Sequence, residues 1–78
     1  MKKAECEKIL RHLIHTWLLA LSDDDLSRAS FSRFKSAVPE HSRYLNFRSL
    51  RGAGEDTELW FDGLLSQVRL HRDSLKAQ

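Results

Sequence analysis

The start of the chain carries apolar side chains at helical spacing. With Cys6 set at zero on a helical wheel of about 100° per residue, one side of the wheel collects Ile9, Leu10, Leu13, Ile14, Trp17, Ala20 and Leu21. The charged and polar residues between Glu7 and Thr16 lie outside that arc. This pattern predicts an amphipathic helix over about Ala4 to Leu21.

A helix-start signal follows directly. Ser22 precedes Asp25 by three residues, and a serine at that spacing can accept a hydrogen bond from a free amide of the first turn. We expect a second helix over about 23–37, because Pro39 disfavours helical geometry at Val38. Its inward residues would be Leu26, Phe31, Phe34, Ala37 and Val38, and its outward residues Arg28, Ser32 and Lys35.

The segment 40–50 fits two structures. Tyr44, Phe47 and Leu50 have helical spacing, whereas Leu45 and Phe47 alternate with polar residues as in a short strand. Of the two we favour a short helix. Gly52 and the residues up to Gly54 would end it.

The residues after Gly54 predict a last helix. Glu55, Asp56 and Thr57 are candidates for its cap, and the helix should reach Leu70 or beyond. Its main apolar face would consist of Trp60, Phe61, Leu64, Leu65, Val68 and Leu75. The predicted fold is therefore all-α, a small single-domain bundle of three to four short helices spanning 1–78.

The composition is that of an ordinary globular domain. The chain has 78 residues, of which 41% are hydrophobic and 31% charged, so one core is expected and not two. Cys6 is its only cysteine, which excludes an intrachain disulfide and favours a reducing compartment. Met1, Lys2 and Lys3 resemble the start of a signal peptide, but charged residues and histidines interrupt the stretch that should be apolar. We expect a mature helix there, a cytoplasmic location and no membrane partner.

The positive charge is concentrated in the middle of the chain. Residues 28–51 carry six cations and one anion, a net charge of +5 in a chain whose total is +2. Residues 28–51 are called here the basic segment. Its six cations are Arg28, Arg33, Lys35, Arg43, Arg48 and Arg51. Since Phe31, Phe34, Tyr44 and Phe47 lie among them, one interpretation is a surface that binds nucleic acid. The alternative is that the aromatic rings belong to the core and the cations form a solvated helix face.

No motif predicts catalysis or a cofactor. His12 and His15 are three residues apart on one helix, but a metal site needs a third protein ligand, and none is evident nearby. The serines lack a nucleophile motif or a neighbouring base. We therefore expect no catalytic residue, no metal, no cofactor and no enzymatic activity.

A second apolar stripe lies on the last helix. Leu59, Gly63, Ser66 and Leu70 are roughly 160° from the main apolar face, and Leu19 lies among the polar residues of the first helix. Either the last helix is central and covered on both sides, or these residues form an interface. We expect Leu19, Leu59, Gly63 and Leu70 to contact a protein partner or a second copy. The sequence thus favours a small binding or regulatory protein that self-associates, with nucleic-acid binding through the basic segment as the alternative.

Overall fold

The computed structural model describes residues 2–76, and within them every regular element is a helix. The elements are α1 (Lys3–Ala20), α2 (Asp23–Ser27), α3 (Phe31–Ala37), a 3₁₀ helix (Pro39–Tyr44) and α4 (Ala53–Lys76). The predicted all-α fold is confirmed. Its longest dimension, 42 Å, is set by α4, which at 24 residues is about 36 Å long.

The first and last helices run parallel. Near the start of both, Lys3 Nζ lies 3.4 Å from Asp56 Oδ2. Near their ends, Arg72 donates to the main-chain oxygens of Leu18 and Leu19. Since α1 has 18 residues and is about 27 Å long, the chain must travel back along the pair before α4 begins. Residues 21–52, called here the return segment, make that passage as α2, α3 and the 3₁₀ helix.

The larger part of the core lies where the return segment packs on the α1–α4 pair. Its buried residues are Ile14, Leu18, Leu26, Phe34, Phe61, Leu65 and Val68. Phe34 has no exposed surface, and its ring centroid lies 5.7 Å from that of Trp17 and 5.9 Å from that of Phe61. Phe34 therefore joins α3 to both long helices.

A smaller cluster closes the other end of the molecule. Cys6, Leu10 and Phe47 are buried there, with Tyr44, Leu45, Ala53 and Trp60 packed around them. Phe47 stacks on Trp60 with ring centroids 5.8 Å apart, and the Cys6 thiol donates to Asn46 Oδ1 at 3.8 Å. The irregular residues after the 3₁₀ helix thus connect the starts of α1 and α4.

The predicted second helix is two helices. Ser22 Oγ accepts from the Asp25 amide at 3.2 Å, so the predicted cap is confirmed. The prediction of one continuous helix as far as Ala37 is wrong. α2 ends at Ser27, and Ser30 caps the start of α3 because its Oγ accepts a hydrogen bond from the Arg33 amide at 3.2 Å. Leu26 of α2 and Phe34 of α3 thus reach the same core from two separate helices.

The region around residue 50 also departs from expectation. Only Pro39–Tyr44 is helical, as a 3₁₀ helix, and neither a strand nor a longer helix forms in 40–50. α4 begins at Ala53, before the predicted caps, and Ser49 Oγ accepts from the Gly52 amide at 2.9 Å. Gly52 has φ 99°, a conformation that glycine adopts without steric cost. Leu50 is fully exposed rather than part of an apolar helix face.

Four assignments of residues to helix faces are corrected by the packing. Leu18 was not predicted to face inward but is completely buried, because α4 covers α1 on that side. Leu75 was placed on the main apolar face of α4 but is 57% exposed, since it lies in the last turn of that helix. Ala20 and Ala37 are exposed as well. The other predicted inward residues of α4 are buried or half-buried.

Arginines of α4 hold the carboxyl ends of two other helices. Arg72 Nη2 lies 3.3 Å from the Leu18 oxygen and 3.1 Å from the Leu19 oxygen, at the end of α1. Arg69 Nη2 lies 3.0 Å from the Leu26 oxygen and 3.2 Å from the Ser27 oxygen, at the end of α2. The last carbonyls of a helix have no partner within it, and neither α1 nor α2 has a basic residue in its own last turn. Both arginines therefore act as tertiary caps.

Asp23 completes this connection between α2 and α4. Its carboxylate lies 3.2 Å from Lys76 Nζ and 3.3 Å from Arg72 Nη1. The hydrogen bond and charge of Lys76, with a smaller contribution from Arg72, lower the pKa of Asp23 below its usual value of 3.8. A carboxyl whose pKa is lower in the folded state stabilises the fold above its unfolded pKa and loses that effect as the pH falls through the folded pKa.

Replacement of the central aromatic residue tests the main core. Phe34→Ala should lower the free energy of unfolding by about 3–5 kcal/mol, because it leaves a cavity that three helices line. Urea unfolding followed by circular dichroism measures the change. Ser36→Ala, on the exposed side of α3, should change stability by less than about 0.5 kcal/mol. Equal effects for the two variants would contradict the packing.

Substitution of Asp23 tests the ion pairs. Asp23→Asn should be less stable than the wild type at pH 7, and the difference should disappear as the pH falls below 3.8. Urea unfolding at pH 7, 5 and 2.5 measures it. Asp24→Asn is the matched control, because Asp24 is exposed in the same turn and forms none of the ion pairs seen in residues 2–76. A difference of constant size at all three pH values would show that the Asp23 carboxylate is not stabilised by its partners.

Candidate functional site

The outer side of α4 carries exposed leucines. Leu59 is 49% and Leu70 is 70% exposed. They are eleven residues apart, which places them within about 20° of each other around the helix and about 16 Å apart along it. Gly63 and Ser66, both exposed, lie between them. These four residues, the α4 stripe, point away from the core, so the alternative that α4 is covered on both sides is wrong.

Leu19 lies beside one end of the α4 stripe. It is 52% exposed and lines a shallow depression on the outer seam of α1 and α4, together with His15, Gln67, Val68 and His71. On the helical wheel, Gln67 and His71 lie between Leu70 and the core side of α4. Leu19 therefore lies across this seam, at the level of Leu70 along α4. The Leu59 end is bordered instead by Arg51 and by the acids Glu55, Glu58 and Asp62.

Sequence reasoning gave no role to the other residues of this seam. His15, Gln67 and His71 are exposed and lie next to Leu19. Each is an exposed polar residue that belongs to no motif on its own helix. Only the parallel packing of α1 on α4 brings them together, so no local pattern could have predicted them.

Gly63 is not required by the packing of this chain. A Cβ atom added at Gly63 would meet no atom within 4 Å. Glycine inside a helix costs about 1 kcal/mol relative to alanine. The middle of the α4 stripe is therefore open to solvent and has no side chain that would keep another helix at a distance.

Two further exposed leucines lie outside the α4 stripe. Leu50 is in the irregular part of the return segment, next to Arg51. Leu75 is in the last turn of α4 on the side that faces inward elsewhere along the helix, about 160° from Leu59 on the helical wheel. Leu75 is therefore the natural control for experiments on that surface.

The cations of the basic segment are all exposed. Their surroundings differ. Arg28 Nε donates to the Asp24 main-chain oxygen at 3.4 Å, and Lys35 Nζ lies 5.1 Å from the centre of the Phe31 ring. Arg51 shares its depression with three acids of α4. The other three cations, Arg33, Arg43 and Arg48, have no such neighbours among the contacts of residues 2–76 and are the most accessible to a polyanion.

The aromatic residues of the basic segment belong to the core. Phe34 and Phe47 are buried, while Phe31 and Tyr44 are half-buried and pack against the two clusters. A buried ring cannot receive a stacked base. Phe34 and Phe47 are therefore excluded from a nucleic-acid surface, and the cations are the most exposed residues of the segment that could take part in one.

A charged depression between α2 and α4 has a structural explanation. It is lined by Asp23, Leu26, Ser27, Arg69, Arg72, Asp73 and Lys76. Arg69 and Arg72 cap helix ends, and Asp23 pairs with Arg72 and Lys76. The charges that a ligand would need are already engaged in holding α2 against α4.

Asp56 has a similar structural role at the other end of α4. It is 8% exposed, and its Oδ2 lies 3.4 Å from Lys3 Nζ without the geometry of a hydrogen bond. The Ser49 hydroxyl, more than Lys3 and Arg51, lowers the pKa of this carboxyl below its usual value. The ion pair of Asp56 with Lys3 thus connects the start of α4 to the start of α1.

The histidines are distributed over three separate places. His12 and His15 are exposed on α1, and His15 shares the outer seam with His71. His41 is buried, and its Nδ1 lies 2.7 Å from the Val38 main-chain oxygen. In the part of the chain that the structure describes, no three side chains of the metal-binding types lie close enough to hold one ion.

Within residues 2–76, no helix combines the length and the apolar character needed to cross a membrane. No protein-family model, curated protein or solved structure matches the chain significantly.

Proposed function

We propose that this protein is a small non-enzymatic helical binding protein that acts through protein–protein contacts and self-associates. The contact surface is the outer side of α1 and α4, formed by Leu19 and the α4 stripe. The observation that carries the proposal is the exposure of Leu59 and Leu70 on the outer side of α4, with Leu19 exposed on the neighbouring seam of α1 and α4.

The energetics favour a reversible contact. Complete burial of a leucine side chain contributes about 1.5–3 kcal/mol, and these three leucines each keep about half or more of their surface exposed. Association must first offset the loss of translational and rotational freedom. A surface of this size therefore supports association of moderate strength, in which each leucine makes a measurable contribution.

Charge substitutions in the α4 stripe test the proposal. Leu59→Glu and Leu70→Glu should each weaken self-association at least tenfold, or about 1.4 kcal/mol, because a carboxylate would have to lose its water in the interface. Sedimentation velocity over a range of protein concentrations measures the mass. Circular dichroism checks that the variants remain helical.

Leu75→Glu is the matched control, since Leu75 is exposed but lies about 160° from Leu59 around α4. It should leave the mass unchanged. A wild-type protein that stays monomeric at every concentration would refute self-association. An equal loss in the Leu75→Glu variant would show that the α4 stripe is not the contact.

Nucleic-acid binding is a second candidate function, favoured by one observation. The ion pairs within residues 2–76 use Lys3, Arg11, Arg72 and Lys76, and none uses a cation of the basic segment. Cations that have no carboxylate partner keep their full charge for phosphate groups. On this proposal Arg33, Arg43 and Arg48 would contact the backbone of a nucleic acid.

Salt dependence tests this second candidate. Binding of duplex or single-stranded probes should weaken steeply as salt rises, and the double substitution of Arg43 and Arg48 by alanine should reduce the slope of log affinity against log salt by up to about 2. Fluorescence anisotropy measures the binding. Replacement of Lys2 and Lys8, exposed cations outside the basic segment, should change the slope less. Absence of binding to both probes at low salt would exclude the idea.

A further inference from the structure

We infer that the peptide bond between Arg51 and Gly52 is a cleavage site for an endoprotease that cuts after arginine, and that the two products stay assembled after the cut. The inference goes beyond the proposed contact surface and does not depend on it. Its basis is the exposure of this bond outside every helix of residues 2–76, the few contacts that hold it, and the core that the two products share.

Arg51 lies in an exposed part of the chain that has no regular structure. Residues 45–52 connect the 3₁₀ helix to α4. Leu50 is fully exposed, and Arg48, Arg51 and Gly52 are exposed as well. Exposed segments of this kind are the preferred sites of proteolytic cleavage. None of the ion pairs within residues 2–76 uses Arg51, so its side chain can enter the acidic pocket in which such proteases bind arginine.

Arg28 is also outside the helices, but its peptide bond is held in a turn. The Arg28 amide donates to the Asp25 oxygen at 3.1 Å, and the Ala29 amide donates to the Leu26 oxygen at 3.2 Å. Arg69 donates to the same Leu26 oxygen. Cleavage after Arg28 would therefore require several hydrogen bonds between α2 and its neighbours to break together.

Arg48 shares the irregular segment with Arg51 but follows a core residue. Phe47 is 6% exposed and stacks on Trp60. Because endoproteases bind several residues on each side of the bond that they cut, cleavage after Arg48 would require Phe47 to leave the core. Apart from Lys2, which precedes α1, the remaining basic residues of the described chain lie within helices.

The contacts around the bond between Arg51 and Gly52 are few and local. The Gly52 amide donates to Ser49 Oγ at 2.9 Å, and the Gly52 oxygen accepts from the Asp56 amide at 3.1 Å. Gly52 has φ 99°, and a glycine can change to the extended conformation without steric cost. Loss of these two hydrogen bonds opens the first turn of α4 and leaves the main core in place. Local opening of this kind costs less free energy than global unfolding.

Hydrolysis of this bond consumes one water molecule. A C–O bond forms at the carbonyl carbon of Arg51, and the C–N bond to Gly52 breaks. One product then ends in the carboxylate of Arg51, and the other begins with the ammonium group of Gly52. The protease supplies the catalysis, so the residues of this chain act only as substrate.

The two products share the main core. The product that precedes the cut contributes Ile14, Leu18, Leu26 and Phe34, and the product that follows it contributes Phe61, Leu65 and Val68. The hydrogen bonds of Arg69 and Arg72 also cross from one product to the other. The products therefore remain together as a complex, whose stability depends on concentration because the two parts are no longer joined. Cleavage thus converts a permanent fold into a reversible assembly.

Limited digestion with trypsin tests the site. Trypsin cuts after both arginine and lysine, so all the basic residues of the chain compete in one experiment. At a protein concentration at which sedimentation shows a monomer, the chains 1–51 and 52–78 should be the first products, formed at least tenfold faster than any others and identified by mass spectrometry. Arg51→Gln should remove this cut. Arg48→Gln, the matched control in the same segment, should leave its rate unchanged.

Two results would overturn the assignment of the site. One is a first cut at another position, or an Arg51→Gln variant that is cleaved as fast as the wild type. The other is loss of the intact chain without accumulation of this pair of products, which would show that cleavage requires global unfolding.

The state of the cleaved protein tests the second part of the inference. At high concentration it should keep its helical circular dichroism and sediment as a complex of both products. Dilution should lower its helicity, whereas the uncleaved protein should stay helical. Loss of helicity on cleavage at high concentration would show that the shared core does not hold the products together. A cleaved protein that stays fully helical at every dilution would refute the expected dependence on concentration.

Discussion

The parallel packing of α1 against α4 determines the rest of this fold. Parallel helices cannot be joined by a tight turn, so the chain must return along their full length before α4 begins. The return segment makes this passage as several short helices, and it lies on one side of the pair. Phe34, at the centre of that side, packs against Trp17 of α1 and Phe61 of α4.

The same constraint leaves the opposite side of the pair uncovered. Within residues 2–76 the return segment lies on the other side of the pair, and none of the described elements covers the outer face. Leu19, Leu59 and Leu70 therefore keep about half or more of their surface exposed. The exposure of the candidate site is thus a direct consequence of the topology.

The charged residues serve two different purposes. Lys3, Arg69, Arg72 and Lys76 connect helix ends to one another, by ion pairs with Asp56 and Asp23 or by hydrogen bonds to terminal carbonyls. They fix how α4 lies on α1 and α2. The cations of the basic segment take no part in the ion pairs of residues 2–76. The cations of that segment therefore do not contribute to the ion pairs of the described fold, whereas its aromatic rings pack in or against the two core clusters.

The sequence by itself determined the helical class, the long amphipathic helices and the Ser22 cap. These depend on periodicity and on hydrogen bonds between residues close in sequence. Only the tertiary structure decided that Ser30 divides the second helix, that the α4 stripe is exposed and that Leu18 is buried. The tertiary structure also showed that Arg69 and Arg72 cap the ends of other helices. The residues that lie next to Leu19 on the outer seam were likewise visible only there: His15, Gln67 and His71. The physical reason is that a helical pattern shows which face is apolar, whereas burial depends on which neighbour lies on that face and where the neighbour ends.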